Sequence, residues 1–417
     1  MKKSNFFTLM LMGCSLCFLP ACSDNDDPDN GKTEPPVGGW TIKTIDQCPD
    51  SGEKLTDAQM DAVVETFVDE VALPTYKTMV DNMNKLQQAV DAFAASPNDN
   101  ALEEACTEWR NARIYWEQSE AFLFGPADLE SFDPSMDSWP LDKNGIDQII
   151  KNGNWDAIEG SVDESETAEN PAQNLRGFHT VEYLLFKDGN AKKAADLSAN
   201  EIIYLQKAVK HLVNDGTNLY KAWKDGLGDE DVPTSYAEAM KKHDGTYTLS
   251  SANAALELML NGGNGMAAIA NEVGESKIGV PADDYAKDAA AGKFGEDNSG
   301  VLGVESWYSW NSLDDYEDNI QSIRNCYYGG HMTTSFGEDD HYTYDEENPG
   351  GISKLVKVIN PALDSLVMVQ IDKTIEAIRA IPAPFRNNLD APEVTPAREE
   401  CANLKTLLDK VKAKFQD

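Results

Sequence analysis

Residues 174–186, NLRGFHTVEYLLF, ask for a helix with an unusual polar pair on it. In helical geometry His179 and Glu182, three apart, lie one above the other on one face. Val181, Leu184, Leu185 and Phe178 supply the apolar side, which puts the pair at the edge of buried surface. An imidazole and a carboxylate at this spacing can hold a metal ion together, share a proton, or satisfy each other as a partly buried bonded pair. Gly177 has no side chain and permits a close neighbour just before the histidine.

Working outward, the same three-and-four spacing of apolar residues recurs along the chain. Thr56 with Gln59 forms a capping box ahead of Val63, Val64, Phe67, Val68 and Val71. Pro74 is expected to kink or break that helix. A helix over Tyr76–Phe93 follows, then a turn at Ser96–Asp99. The next helix is expected from Ala101 to Phe124, with Leu102, Cys106, Trp109, Ala112, Trp116, Ser119 and Leu123 on one face. On it Arg113 and Glu120 are two turns apart and look to the same side, either as a solvated ion-pair stripe or toward a site. FDPSMDSWPLD, residues 132–142, reads as an ordered loop pinned by Phe132, Met136 and Trp139. Ile146–Ile158 is expected as a short helical or turn segment, and residues 161–171 as an acidic loop.

A long helix is expected from Ser198 through Trp223, carrying His211 on its surface. Gly226–Pro233, GLGDEDVP, is the expected boundary between two halves. Tyr236–Ala270 is expected to be helical with a break at Gly262–Gly265, and residues 274–304 irregular or in short helices. Glu305–Gly330, ESWYSWNSLDDYEDNIQSIRNCYYGG, contains a further helix. Beside its apolar stripe runs a polar line, Asp315, Asn319 and Ser322, at i, i+4 and i+7; such a line is either a wet face or a face turned to a ligand. His331 and His341 follow in an exposed loop. Two helices, Ser353–Ile381 and Pro396–Phe415, close the chain. No alternating strand pattern of useful length and no short-period repeat is visible. The reading is all-α, in two bundle-like halves, residues 41–226 and 227–417.

The chain has 417 residues with 35 Lys+Arg against 72 Asp+Glu, a formal charge of −37. That balance argues against nucleic acid and anionic lipid surfaces as partners and is compatible with cations. Residues 1–21 read as a secretory signal: Lys2 and Lys3, then an apolar run from Phe6 to Leu19 too short to span a bilayer. The run ends Leu19-Pro20-Ala21-Cys22, similar to a bacterial lipobox, so Cys22 is the expected lipid attachment point. The following SDNDDPDN resembles the surface-export signal of Bacteroidetes lipoproteins. The expectation is an outer-membrane lipoprotein facing outward, touching the membrane through its anchor only, with residues 22–40 as a flexible acidic tether. Cys48, Cys106, Cys326 and Cys401 show no zinc-knuckle spacing. Outside the cytoplasm they can be disulfides or free thiols.

Taken together, these stretches resemble the imelysin family, peptidase family M75, whose marker is GxHxxE. Here it stands as Gly177-Phe178-His179-Thr180-Val181-Glu182, supported by WRNARIYWEQSEAFLFGP, the DPSMDSWP loop and ESWYSWNSLDDYEDNIQSIRN. The resemblance implies two similar four-helix bundles with a functional site between them, and a role in bacterial iron uptake or homeostasis. It also brings an alternative, a metallopeptidase using HxxE as zinc ligands. A zincin needs HExxH, and the inverse form HxxEH has Tyr183 where its second histidine belongs. The iron reading joins His179 and Glu182 with Glu120 as ligands of iron or another divalent ion. A small metal-containing ligand would then be held by Arg113, Ser119, Asp315 and Asn319. Iron-transport components are the expected partners.

Overall fold

Side chains that satisfy the first free N–H groups of a helix set where several helices of this chain begin. The computed structural model describes residues 37–158, 172–261 and 263–415. The expected signal, Cys22, the tether to residue 36, the acidic loop at 161–171 and Gly262 lie outside the described residues. Helix α1 (Asp57–Thr66) starts at Thr56: its hydroxyl accepts from the Gln59 N–H, and the Gln59 side chain accepts from the Thr56 N–H. A π turn at Phe67–Ala72 leads into α2 (Leu73–Ala95). Pro74 has no N–H to donate, and the wider turn ahead of it absorbs the missing bond, so the expected kink is a local widening.

Helix α3 (Asp99–Glu117) is capped by Asn98. It ends seven residues before the expected Phe124. Ser119 Oγ donates back to the Trp116 carbonyl at 2.7 Å, Ser322 Oγ takes the Ala121 N–H at 3.0 Å, and Phe122 pairs in a bridge with Gly265. These contacts turn the chain out of the helix, and Glu120 therefore lies in a turn and not two helical turns beyond Arg113. Short helices α4 (Pro126–Leu129) and α5 (Phe132–Asp137) occupy the expected loop, with Phe132 and Met136 buried as its pins. Then come α6 (Lys143–Asn152), α7 (Phe178–Leu185) and a two-residue antiparallel hairpin, β1 (Phe186–Lys187) with β2 (Asn190–Ala191). Helix α8 (Ala199–Lys224) opens on a second capping box, Ser198 with Glu201.

The expected helix over 236–270 is three pieces: α9 (Tyr236–Lys242), α10 (Ala252–Asn261) and α11 (Met266–Glu272). The additional break follows His243 and Gly245, both in left-handed backbone. A second π turn, Val273–Gly279, precedes α12 (Val280–Ala290) and α13 (Ser299–Leu302). Helix α14 spans Ser312–Tyr328. The expected helix over 353–381 divides into α15 (Ile352–Ile359) and α16 (Pro361–Ala380), because Pro361 cannot continue the ladder and Asn360 caps the new start. Helix α17 (Val394–Ala413) ends the series.

Among the described residues the fold is all-α apart from the hairpin. Helix α2 packs along both α3 and α8, with α7 against α3 and α8. In the second half, α16 packs on α14 and α17, and α11 on α14 and α17. Helices α3 and α14 pack on each other, and the residues from Val37 onward pack as one unit. Trp109 and Trp116 of α3 and Trp223 of α8 are fully buried in that core. No described helix is long and apolar enough to cross a membrane. Cys48, Cys106, Cys326 and Cys401 are free thiols.

Candidate functional site

Gly177 is where the site begins. Its φ is +89°, and a Cβ there would collide with the Met136 carbonyl. Only glycine lets the α5 backbone lie against the start of α7. Trp109 Nε1 donates to the Phe178 carbonyl at 3.1 Å and ties α7 to α3. Three elements thus converge: α3 brings Arg113 and Glu117, α5 brings Asp133 and Asp137, and α7 brings His179 and Glu182.

His179 is 1% exposed. Its Nδ1 faces Glu182 Oε2 at 3.1 Å. The other Glu182 oxygen accepts from the Tyr308 N–H (2.9 Å), the Ser309 N–H (2.7 Å) and the Ser309 hydroxyl (2.8 Å). Glu182 is therefore fully engaged, and it holds the imidazole in one orientation, as carboxylates behind ligand histidines do. The opposite nitrogen, Nε2, points to Asp137 Oδ1 at 3.3 Å and Glu305 Oε1 at 3.8 Å. It has no hydrogen-bond partner. The Trp139 ring packs against the imidazole with centroids 4.8 Å apart.

Arg113, fully buried, pairs with Glu117 and Asp137 and lies 3.5 Å from Asp315 Oδ2. Its guanidinium also stacks 5.2 Å above the Phe178 ring. Asp315 is further held by Ser306 and by Asn311 Nδ2. Asn319 Nδ2 donates to the Glu117 carboxylate, and Trp116 Nε1 donates to Asp137 Oδ2 at 2.7 Å. Lys277, in the second π turn, reaches Glu305 at 3.1 Å, Glu120 at 3.9 Å and Glu117 at 4.0 Å. A cavity of about 210 Å³ opens beside these groups, lined by Glu120, Asp133, Asp137, Trp139, Lys277 and Glu305, with Glu272 and Asn264 among its further walls.

Seven carboxylates (Glu117, Glu120, Asp133, Asp137, Glu182, Glu305 and Asp315) surround Arg113, Lys277 and the His179 ring. The surplus of negative charge shows in the proton affinities. Burial raises Glu117 and Glu120 well above the usual carboxylate range, and burial together with Asp137 lifts Asp133 to about 7. Burial works against a charged imidazole, yet the hydrogen bond to Glu182 and the negative charges of Glu305 and Asp137 beside Nε2 raise His179 to about 9. Glu305 moves the other way: despite burial, Lys277 and His179 hold it below its ordinary value.

The structure brings together most of the residues picked from the sequence. His179 and Glu182 form the expected pair. Arg113, Asp315 and Asn319 all lie in the charged network, and the polar line on α14 is buried against α3 instead of being wet. Glu120 enters the same cavity, linked to His179 through Asp137. Ser119 is buried but spends its hydroxyl on its own backbone. His331 Nδ1 bonds to the Glu70 carbonyl at 2.8 Å, and His341 is exposed. Local spacing does not single out Asp137, Glu305, Asp133, Glu117 or Lys277 as site residues. Asp133 and Asp137 stand in DPSMDSWP and Glu305 opens ESWYSW, so an isolated acid among aromatic and proline residues was the available signal. The donor set His179 Nε2, Asp137 and Glu305 lies within 4.8 Å, as does the set Glu117, Glu120 and Asp137. Imidazole plus carboxylates suits iron and other divalent ions, and the orphaned Nε2 fits such a group.

Fold and site together define an all-helical protein with a buried histidine–carboxylate centre where two helical layers meet. The imelysin family profile (Peptidase_M75) matches residues 72–411, and the chain belongs to the imelysin family. It is similar to a candidate iron-regulated protein A precursor from Parabacteroides distasonis, with 52% identity and a TM-score of 0.84 over 90% of this chain and 100% of that one. It is 26% identical over 329 residues to iron-regulated protein A of Synechococcus elongatus, covering 79% of this chain and 78% of the relative. An imelysin-like protein from Psychrobacter arcticum shares the fold alone: 13% identity and a TM-score of 0.51 over 85% and 94% of the two chains.

Proposed function

We propose that this chain binds a single metal ion, iron, at the His179 centre and serves bacterial iron uptake or homeostasis. The observation that carries the reading is the buried Nε2 of His179, without a hydrogen-bond partner and aimed at Asp137 and Glu305. In this reading Nε2, Asp137 and Glu305 hold the ion, with Glu120 beside them at the cavity. Glu182 acts from behind, on the ring. The names of the two iron-regulated relatives supply the choice of iron, and a metal chelate remains within the same reading, with Arg113, Asp315 and Asn319 shaping the centre around it.

The test is calorimetric titration of the metal-stripped protein with Fe(II) without oxygen, alongside His179→Ala and Asp137→Asn. Wild type should take up about one ion per chain and melt higher with it. Equal affinity and equal metal-dependent melting in His179→Ala would remove the reading. The peptidase alternative has less support, because Glu182 bonds Nδ1 from behind the ring, on the side away from Nε2, so the two residues of HxxE do not converge on one ion. Peptide cleavage that is lost on chelation and in His179→Ala would favour it instead.

For location, the LPAC run and the acidic stretch after it support an outer-membrane lipoprotein anchored at Cys22, facing outward and handing iron to transport components. Fractionation should place wild type with the membrane and Cys22→Ser in the soluble fraction. Wild type found soluble would overturn the anchor.

A further inference from the structure

Two groups of ligand-capable atoms in this centre share one carboxylate. Asp137, His179 and Glu305 form the first, and Asp137, Glu117 and Glu120 the second. Pairs of metal ions in carboxylate sites sit about 3.5–4 Å apart, often with a ligand in common. The two groups differ in what already fills them. His179 Nε2 in the first lacks a partner. At the second stands the Lys277 ammonium, 3.9 Å from Glu120 and 4.0 Å from Glu117, and it also reaches Glu305 at 3.1 Å. Lys277 is buried, with 7% of its side chain exposed, and it is carried by a π turn, a widening that recurs at functional sites. A flexible lysine does not bury its head unless the charge is matched, and here three carboxylates match it.

We propose that Lys277 is a tethered cation occupying the second of two overlapping cation positions, and that it holds the centre to one metal ion. The inference rests on the metal reading above and adds what sets its stoichiometry. The ammonium supplies at the second position the charge that another ion would bring. Removing it leaves Glu117 with Arg113, takes from Glu120 the ion pair it makes here, and opens the second position.

The experiment titrates metal-stripped wild type, Lys277→Met, Lys277→Arg and the double variant Lys277→Met/Glu120→Gln with Mn(II), read by calorimetry and by electron paramagnetic resonance. Wild type, Lys277→Arg and the double variant should each bind about one Mn(II). Lys277→Met should bind about two, with the signal of a magnetically coupled pair. A single uncoupled ion in Lys277→Met, or two ions in wild type, overturns the role of Lys277 while leaving the metal reading intact. No Mn(II) bound by any of the four proteins overturns both. If Lys277→Met is unfolded without metal, recovery of helical circular dichroism on binding two ions supports the proposal; recovery with one ion, or none, overturns it.

Discussion

At the scale of single residues, the site works because each polar atom around His179 has a defined task. Glu182 accepts from two backbone N–H groups and one hydroxyl, so its position is set before the histidine leans on it. Replacing it with glutamine keeps the shape, but with the amide oxygen held by the Tyr308 and Ser309 donors the NH2 faces Nδ1 and donates where the carboxylate accepted, which moves the ring proton to Nε2. Glu182→Gln should lower metal affinity by about 10–100-fold with little change in melting of the metal-free protein, measured by titration and calorimetry. Gly177 has a different task. Its left-handed φ and the Met136 carbonyl leave no room for a Cβ. Gly177→Ala should destabilise by about 2 kcal/mol or more in urea unfolding, through backbone strain and displacement of α5. Metal affinity should fall with it, because Asp137 moves with α5.

At the scale of elements, the seam between α3 and α14 is polar where most helix contacts in this chain are apolar. Asn311 meets Arg110, Asp315 meets Arg113, Asn319 meets Glu117, and Ser322 takes the Ala121 N–H. A polar line at i, i+4, i+7 is legible in the sequence, but whether it faces water or a partner helix is not, because both demand the same residue types. Packing decides it: apolar stripes on either side of the line on α14 are also covered. Asn319→Leu should cost about 1–3 kcal/mol in unfolding free energy, since it takes from the buried Glu117 Oε2 its hydrogen-bond donor, although leucine is the more apolar side chain. A stability equal to wild type would mean that the seam is wet after all. The π turn at Val273–Gly279 was equally hidden. Gly274, Ser276 and Gly279 dilute its periodicity, so Lys277 reads from sequence as a loop lysine.

At the scale of the whole molecule, a chain of −37 gathers buried acids around one cavity, and its stability must depend on how they are neutralised. His179 is raised from 6.5 to about 9 and Asp133 from 3.8 to about 7. In both, the folded state holds the proton more tightly than the unfolded state. Their stabilisation is therefore complete below the unfolded values and is lost as pH rises through about 7 for Asp133 and about 9 for His179. The melting temperature of metal-free protein should fall by several degrees between pH 6 and pH 9.5, and bound metal should flatten that slope. A metal-free melting temperature that rises over this range would contradict the arrangement. Scanning calorimetry in chelator, with and without added ion, makes the comparison.

The amino-acid sequence by itself determined the all-helical class, the capped starts at Thr56 and Ser198, and the pairing of His179 with Glu182, because these depend on neighbours within one or two turns. Only the tertiary structure decided which acids face the free nitrogen of that histidine. Asp137 and Glu305 come from segments 168 residues apart, and Lys277 from a turn without a clear period. Their meeting is set by how α5 lies against Gly177 and by how the π turn directs its lysine inward. Distances between such segments follow from packing of the whole core and leave no trace in local spacing.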